Sequence, residues 1–550
     1  MAEILLIFIY YFLIFFSIIG FGYIFSKIFK TSLSLSEIGF SGLLTLILIS
    51  YVTNFFISHG ILHNSVLLIL GLIAFIFYYF ERSFNQKIFI LALIIFILLF
   101  IGILMYKNHD DFFYYHFPYT LSLIESKKII GIGHLEHGFR TPSSIFYLNS
   151  LFYLPLTEIY LINIGAIYFM GFANIFFIEK FLVFFNEKKT NFIIFLSILS
   201  FMTINIAFYR IAEHGNDRSA LILIFVLVIV YYESLKYLKN NNNYKIIHSY
   251  KILIVLTLLI ISLKSFYLIY LLVIFAWLIQ FRKSLLKNNL LLPILISSYN
   301  YLFIVSIFIF VGTVFLNSSC LVYPASFTCF ESVAWSIPKT EVQYMKDWYS
   351  LWAKAGANPN FRTDDPEKYL EYFNWVNNWI DRYFFTKVTD YLAVIFLISI
   401  ISFISFKNKK NKNKKKPFDY KFLYIFIIIL FIEWFLNHPT LRYGGYTVVA
   451  LILYIPLSSF LDQYSLYTKG IKNLVFLMLI ISVGTYIFKN IKRINNEFEK
   501  YNYNPLNNPY FHIADNAYEF SESISKFDQL RIKNNKHYII LSKELINSNN

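Results

Sequence analysis

Residues 107–119, KNHDDFFYYHFPY, place two carboxylates and two histidines directly after an apolar run at 88–106. Asp110 and Asp111 would lie where a membrane-crossing helix ends, and His116 follows among aromatic residues. A carboxylate that is partly desolvated at such a boundary has the properties of a general base. The pair could also hold Mg²⁺ or Mn²⁺, which prefer oxygen ligands. The alternative is an aromatic anchor at the membrane interface with solvated acids.

The second half of the same loop, GIGHLEHGFRTPSS at 131–144, combines glycines with polar side chains. The glycines indicate tight turns, among which His134, Glu136 and His137 project. Two histidines at this spacing could mark a metal site, whereas Arg140 suits a bidentate contact with a phosphate or a carboxylate. All four are therefore candidate substrate-binding residues.

A charged segment, RIAEHGNDR at 210–218, lies between two apolar runs. Its mixed charges could bind a substrate or could satisfy one another through salt bridges in an ordinary turn. The candidate residues are Arg210, Glu213, His214, Asp217 and Arg218.

Two more cationic positions stand next to apolar runs. Lys264 is flanked on both sides by apolar sequence, where an ammonium group is costly unless it faces a cavity, a partner or the interface. Snorkelling of its long side chain is the alternative. In NHPTLRYGGY at 437–446, His438 and Arg442 could neutralise the phosphate of a lipid-borne substrate or could anchor the chain to headgroups.

The composition indicates the elements that must position these residues. Of 550 residues 58% are hydrophobic and 15% charged, whereas soluble domains carry about 25% charged residues. Apolar runs of about 20 residues, long enough to cross a bilayer, recur along the chain. We therefore expect an all-α polytopic membrane protein with about 11–14 transmembrane helices. The predicted spans are 4–29, 37–57, 61–80, 88–106, 158–185, 191–209, 219–238, 252–263, 265–280, 289–315, 390–406, 422–436, 447–462 and 473–488.

Two of these spans, 252–263 and 265–280, are short, which would also suit a re-entrant hairpin or one kinked helix. The other segments predict an outer loop at 107–157, a second at 316–389 and a small C-terminal extension at 489–550. The first outer loop follows four helices in 1–106. The remaining helices form a central group in 158–315 and a C-terminal group in 390–488.

Loop charges predict the orientation in the membrane. The basic run KNKKNKNKKK at 407–416 belongs on the cytoplasmic side by the positive-inside rule, and the alternate loops that fall on the same side are also basic. The polar motifs then lie together on the outer face. The net charge of +16 is accounted for by this topology and by attraction to membrane lipids, which argues against nucleic acid as a partner. The two cysteines, Cys320 and Cys329, fall in the second outer loop, where they would form a disulfide or remain free thiols.

Carboxylates, cations and histidines at headgroup depth suit a polyprenyl-phosphate-linked sugar. Its tail needs a lipid-facing groove, its phosphate needs cations, and an acceptor hydroxyl needs a carboxylate to activate it. The sequence contains no Walker A or Rossmann glycine motif, so nothing indicates a soluble nucleotide substrate.

With these residues in place, the chain resembles the GT-C superfamily of integral membrane glycosyltransferases. The resemblance rests on the many spans, on Asp110 and Asp111 as the acidic motif of an outer loop, and on the lysine segment ISLKSFYLIYLL at 261–272. In GT-C enzymes the acidic loop usually follows the first span, whereas here it follows the fourth. The loop at 110–152 is also similar to that of a group of uncharacterised bacterial membrane proteins. The matching positions are Tyr115, His116, Gly131, Gly133, His134, Arg140 and Ser144.

The resemblance implies an enzyme of the bacterial inner membrane, active on the outer face. It would transfer a sugar from a polyprenyl-phosphate donor to a glycan, lipid or protein acceptor, with inversion and without a required metal. Asp110 or Asp111 would act as the base, and Lys264, Arg140 and Arg442 would bind the phosphate. The pocket would be shaped by His116, His134, His137 and His438.

Three other functions remain open at this point. An O-antigen polymerase or ligase would depend on arginines of the second outer loop, namely Arg362 and Arg382. A transporter or flippase of lipid-linked glycans would show deep intramembrane charges and internal repeats. A non-catalytic assembly subunit would need none of these side chains.

Overall fold

A computed structural model describes residues 2–81, 84–358, 360–406, 417–519, 522 and 538–542. The structure is about 74% helical, and within the described residues eleven helical stretches are long and apolar enough to cross a membrane. The protein is therefore an all-α polytopic membrane protein, as the composition predicted. The basic run at 407–416, on which the predicted orientation relied, lies outside the described residues.

The first half of the chain contributes ten helices. They are α1 (Ala2–Ile28), α2 (Leu35–Asn54), α3 (Ile61–Tyr79), α4 (Gln86–Leu99), α5 (Phe117–Glu125), α6 (Ser144–Ser150), α7 (Gly165–Glu187), α8 (Phe192–Ala207), α9 (Gly215–Lys239) and α10 (Asn243–Leu263). Single 3₁₀ turns lie at Phe100–Gly102, Ile132–His134, His137–Phe139 and Ile159–Leu161, and a π-helical turn lies at Phe112–His116.

The second half contributes ten more helices and one small hairpin. The helices are α11 (Leu271–Lys287), α12 (Leu291–Leu295), α13 (Ser298–Ser318), α14 (Lys339–Ala353), α15 (Pro366–Leu370), α16 (Val376–Trp379), α17 (Thr389–Phe406), α18 (Lys421–Asn437), α19 (Gly445–Tyr464) and α20 (Lys469–Tyr501). The strands β1 (Ala357–Asn358) and β2 (Phe361–Arg362) pair antiparallel. Further 3₁₀ segments lie at Ser265–Tyr270, Ser326–Thr328 and Leu441–Tyr443, and a π-helical segment at Ile380–Val388.

The helices differ in how much of their surface is buried. The apolar stretches of α7, α9 and α10 are mostly buried, whereas those of α3, α13 and α20 are mostly exposed and face the membrane. Close approach within α1–α3 depends on small residues, since a Cβ on Gly20 would lie 1.8 Å from the carbonyl oxygen of Gly71. Such contacts let membrane helices pack backbone to backbone.

The uncertain spans before and after Lys264 are two complete helices. Helix α10 begins at Asn243, well before the predicted start at 252, because its polar first turns are helical although they are not apolar. The stretch Ser265–Lys287 that follows is also long enough to cross a membrane. Lys264 between them has an extended backbone, with φ −164° and ψ 137°. The extended break at Lys264 thus rules out one continuous kinked helix.

The C-terminal segment packs against the loop that carries Asp111. The ring of Phe511 lies 5.6 Å from that of Phe112, and Tyr106 stacks on His512 at 5.2 Å. Further along, the backbone N–H of Leu541 donates to the carbonyl oxygen of Ile130 at 2.9 Å. The described parts of the segment therefore brace the loop.

Candidate functional site

Four charged side chains from distant parts of the chain meet at one end of the helix bundle. Lys264 Nζ donates to Asp217 Oδ1 at 2.8 Å, and Arg442 Nε donates to Asp217 Oδ2 at 3.0 Å. Arg442 Nη2 also donates to Asp111 Oδ2 at 3.3 Å. We call these four residues the Asp217 cluster, and the end of the bundle on which they lie the site end.

Local backbone geometry positions each member of the Asp217 cluster. Asp217 lies in the first turn of α9, and Lys264 occupies the extended break after α10. Arg442 lies in the 3₁₀ turn between α18 and α19, which ends at Gly444 with φ +101°. This left-handed conformation favours glycine, so the turn accounts for the first glycine of the GG pair, Gly444. Asp217, Lys264 and Arg442 therefore all lie at or next to helix ends and not in helix interiors.

Aromatic rings cover the two cations of the Asp217 cluster. Lys264 Nζ lies 4.3 Å from the ring centre of Tyr443, and the Arg442 guanidinium lies 5.2 Å from that of Trp352. Contacts of this kind are attractive, and more so where water is excluded. Trp352 belongs to α14, so the second outer loop reaches over the cluster.

The two adjacent aspartates have different surroundings. The side chain of Asp110 is 86% exposed and pairs only with Lys107 among the described residues, at 3.1 Å. The side chain of Asp111 is 29% exposed and lies between Arg442 and His109, whose Nδ1 is 3.5 Å from Asp111 Oδ2. The two carboxylates thus pair with different cations, Asp110 with Lys107 and Asp111 with Arg442.

Histidines at the site end are held neutral by burial. Burial lowers the pKa of His116 to about 3, although Asp111 and Asp217 oppose the shift. Because the Asn216 amide nitrogen can only donate, His116 Nε2 accepts its hydrogen bond at 2.9 Å. Burial also lowers the pKa of His438 to about 4, and the charges of Lys264 and Lys354 add to the effect.

This burial predicts a pH dependence of stability. The folded-state pKa of His116, about 3, lies below the ordinary value of 6.5, so between these values the unfolded chain binds a proton that the folded chain does not. Stability therefore falls as pH drops from 6.5 towards 3. His116→Gln keeps an acceptor for Asn216 and removes this loss, which amounts to at most about 1.4 kcal/mol per pH unit. Unfolding in one detergent at a series of pH values measures it, and equal slopes for variant and wild type would contradict the prediction.

The remaining polar side chains of the first outer loop bind the protein itself. Arg140 is buried, donates from Nε to the Gly133 carbonyl oxygen at 3.0 Å and from Nη1 to Tyr323 Oη at 3.1 Å, and forms an ion pair with Glu341. Its guanidinium thus joins the first outer loop to α14. The predicted phosphate contact of Arg140 would have to compete with these bonds.

The two histidines of the H-x-x-H spacing have separate partners. His134 Nε2 is 3.2 Å from the carbonyl oxygen of Trp335, and His137 Nδ1 contacts the carboxylate of Glu136. Within the described ranges, no three His, Cys, Asp or Glu side chains lie close enough together to hold a metal ion.

A second charged group lies beside the Asp217 cluster. Glu213 is buried and accepts from Arg210 Nε at 2.8 Å and from Arg493 Nη1 at 3.2 Å. Arg218, one residue after Asp217, lies over the ring of Phe208. We call Arg210, Glu213, Arg218 and Arg493 the Glu213 cluster. It is linked to the Asp217 cluster through the ring of His214, which lies 4.8 Å from that of His109.

A family model described as a domain of unknown function (DUF8201) matches residues 4–450. The chain belongs to this family. No curated protein and no solved structure matches it. The DUF8201 region contains all four residues of the Asp217 cluster, whereas Arg493 of the Glu213 cluster lies beyond it in α20. The Asp217 cluster is therefore built entirely from the part of the chain that defines the family.

Several site residues of this DUF8201 protein were not predicted from its sequence. Trp352 and Tyr443 carry no signal of their own, since aromatic residues make up 21% of the chain. Asn216, which donates a hydrogen bond to His116, lies between predicted site residues and carries no sequence signal of its own. Arg493 was assigned to the C-terminal extension, because α20 continues far past the end of its apolar stretch. An arginine at the end of an apolar helix was the available signal.

Cys320 and Cys329 form a disulfide that closes the loop before α14. Replacing both with serine should cost about 2–3 kcal/mol, mainly by releasing a loop of about ten residues in the unfolded chain. Because Tyr323 of that loop bonds to Arg140, we expect faster proteolysis near α14 in the double variant. Limited proteolysis of the intact protein with and without reductant measures it, and unchanged cleavage rates would contradict it.

Proposed function

We propose that the protein is a membrane glycosyltransferase of the GT-C type. It transfers a sugar from a polyprenyl-phosphate donor to a glycan, lipid or protein acceptor on the outer face of a bacterial inner membrane. The observation that carries the proposal is the position of Asp111. The partly exposed carboxylate of Asp111 contacts Arg442, which shares the carboxylate of Asp217 with Lys264 under aromatic rings at the site end.

The contacts assign different roles to the two carboxylates of the Asp217 cluster. Asp217 accepts from both cations, which makes it a weak base and a rigid support for them. Asp111 has one long contact with Arg442 and remains accessible to an acceptor. It would take the proton of the acceptor hydroxyl as that oxygen bonds to the anomeric carbon. The bond from carbon to phosphate oxygen breaks, and the electron pair leaves with the phosphate, inverting the anomeric carbon.

The cations would act on the departing phosphate. Negative charge grows on the phosphate oxygen as the glycosidic bond breaks, and fixed positive groups stabilise that charge best where water is excluded. Asp217 fixes the positions of both Arg442 and Lys264. Burial lowers the pKa of Arg442, but Asp217, Tyr443, Tyr115 and Asp111 together outweigh it, so the guanidinium stays charged with a pKa well above its usual value.

The arginines required by an O-antigen polymerase or ligase lie elsewhere. Arg362 and Arg382 are exposed, and they contact the rings of Tyr344 and Phe361 at the small hairpin. An exposed arginine on a hairpin is a poorer site for charge stabilisation than a covered one. This contrast favours transfer at the Asp217 cluster.

The purified protein in liposomes tests the proposal directly. Synthetic polyprenyl phosphates, each carrying one radiolabelled hexose, are incubated with it and with a membrane extract as the source of acceptor. We expect label to move to the extract and free polyprenyl phosphate to accumulate. The same hexoses offered as nucleotide sugars should not react. Movement of intact lipid-linked sugar across the bilayer, without bond breakage, would instead show a transporter.

A further inference from the structure

Arg218 is a half-buried cation whose buried Nη1 has no hydrogen-bond partner among the described residues. Its guanidinium lies 5.8 Å from the ring centre of Phe208. The nearby acid, Glu213, already accepts from Arg210 and Arg493. Burying an unpaired charge is costly, so proteins pair such groups or use them to bind ligands.

Charges around Arg218 leave the region positive. Arg210 and Arg493 donate to Glu213, and a second carboxylate near Arg210, that of Glu497, accepts from the backbone N–H of Tyr106 at 3.0 Å. Lys489 adds a fourth positive charge, with Nζ donating to the Ile206 carbonyl oxygen at 2.9 Å. Four cations against two carboxylates leave a surplus of two. The Asp217 cluster, with two of each, has none.

The position of the Glu213 cluster suggests the nature of the missing anion. The side chain of Arg210 is 42% exposed, and Lys489 lies over the ring of Tyr209 beside it. On α20 the neighbours of Lys489 include Phe488 and Ile491, which are 67% and 45% exposed. An apolar face that continues into a cationic group is suited to a lipid with a charged head.

We propose that Arg218, with Arg210 and Lys489, binds the phosphate group of a lipid whose chain lies along the exposed face of α20. The guanidinium of Arg218 would donate to the phosphate oxygens, as arginine commonly does. The lipid is either a polyprenyl phosphate or a membrane phospholipid, since both present the same phosphate and an apolar chain. This site goes beyond the proposed transfer reaction and does not depend on it.

Thermal unfolding with defined lipids tests the site without any assay of transfer. The intact protein in dodecyl maltoside is heated alone and with farnesyl phosphate, farnesol, lysophosphatidylglycerol or inorganic phosphate. We expect farnesyl phosphate to raise the Tm, and Arg218→Gln to abolish the rise by weakening binding about 10- to 100-fold. Because Nη1 of Arg218 has no hydrogen-bond partner within the described protein, Arg218→Gln should leave the lipid-free Tm unchanged or higher. Arg362→Gln, which changes an exposed arginine, is the control and should keep the full rise.

The remaining outcomes separate the sources of the phosphate. A rise in Tm with both farnesyl phosphate and lysophosphatidylglycerol supports the site and indicates that it binds phospholipids in general. A rise with farnesyl phosphate alone indicates that the site binds a polyprenyl phosphate. A lower lipid-free Tm for Arg218→Gln with the rise retained would overturn the proposal, since Arg218 would then be structural. An equal rise with farnesol or with inorganic phosphate alone would also overturn it.

Discussion

Asp111→Asn is expected to reduce sugar transfer by about 10²- to 10⁴-fold, the usual contribution of a general base. The amide keeps the size of the side chain and can still accept from Arg442, but it cannot take a proton from an acceptor hydroxyl. Because Asp217 continues to hold both cations, the folded structure should persist. Turnover of the lipid-linked sugar in liposomes measures the effect, and cell-surface glycans of complemented cells provide an independent measurement.

The neighbouring residue provides a matched control. Asp110→Asn makes the same chemical change one position earlier, on a side chain that is 86% exposed and pairs with Lys107. Exposed pairs of this kind contribute about 0–1 kcal/mol, so transfer should stay within about threefold of wild type. Equal losses for both variants at equal protein levels would argue against a specific base, and full activity of Asp111→Asn would refute the assignment.

Much of the fold could be predicted because hydropathy reports directly on membrane burial. The sequence indicated the helical class, and the number of apolar stretches agrees with the predicted range of 11–14. Boundaries were wrong where a helix is polar at one end, as in the first turns of α10 and the last turns of α20. Backbone hydrogen bonds continue a helix through such residues, whereas hydropathy stops at them.

The site could be predicted only in part, because its residues come from distant segments of the chain. Polar residues next to apolar runs indicated Asp111, Asp217, Lys264 and Arg442, but not which of them touch, because contacts between distant segments have no local sequence signal. Asp110 and Asp111 have the same side chain, so the sequence does not distinguish them. Packing leaves Asp110 exposed to solvent and places Asp111 in contact with Arg442. Arg140, which is predicted to bind substrate, makes three contacts within the protein that the sequence does not indicate.

The ion pairs of the Asp217 cluster should contribute measurably to the stability of the folded protein. Asp217→Asn leaves Lys264 and Arg442 close together with half their negative charge removed, in a site that is mostly shielded from water. Loss of one partner from a buried ion pair costs about 3–5 kcal/mol. Lys264→Met should cost less, because Arg442 still pairs with Asp217 and the apolar side chain suits the surrounding rings.

The double variant Asp217→Asn/Lys264→Met distinguishes a charge effect from general damage. Removing both members of the pair removes the repulsion between the cations, so the double variant should be more stable than the sum of the single effects predicts, by about 1–3 kcal/mol. Reversible unfolding in mixed micelles containing dodecyl sulfate measures all four proteins. The ion pair Lys27–Glu81, whose side chains are 55% and 31% exposed, is the matched comparison, and its cycle should show a coupling below about 1 kcal/mol. Additive losses at Asp217 and Lys264 would mean that the cluster is held by packing alone, and that its cations need no carboxylate to remain in place for the phosphate.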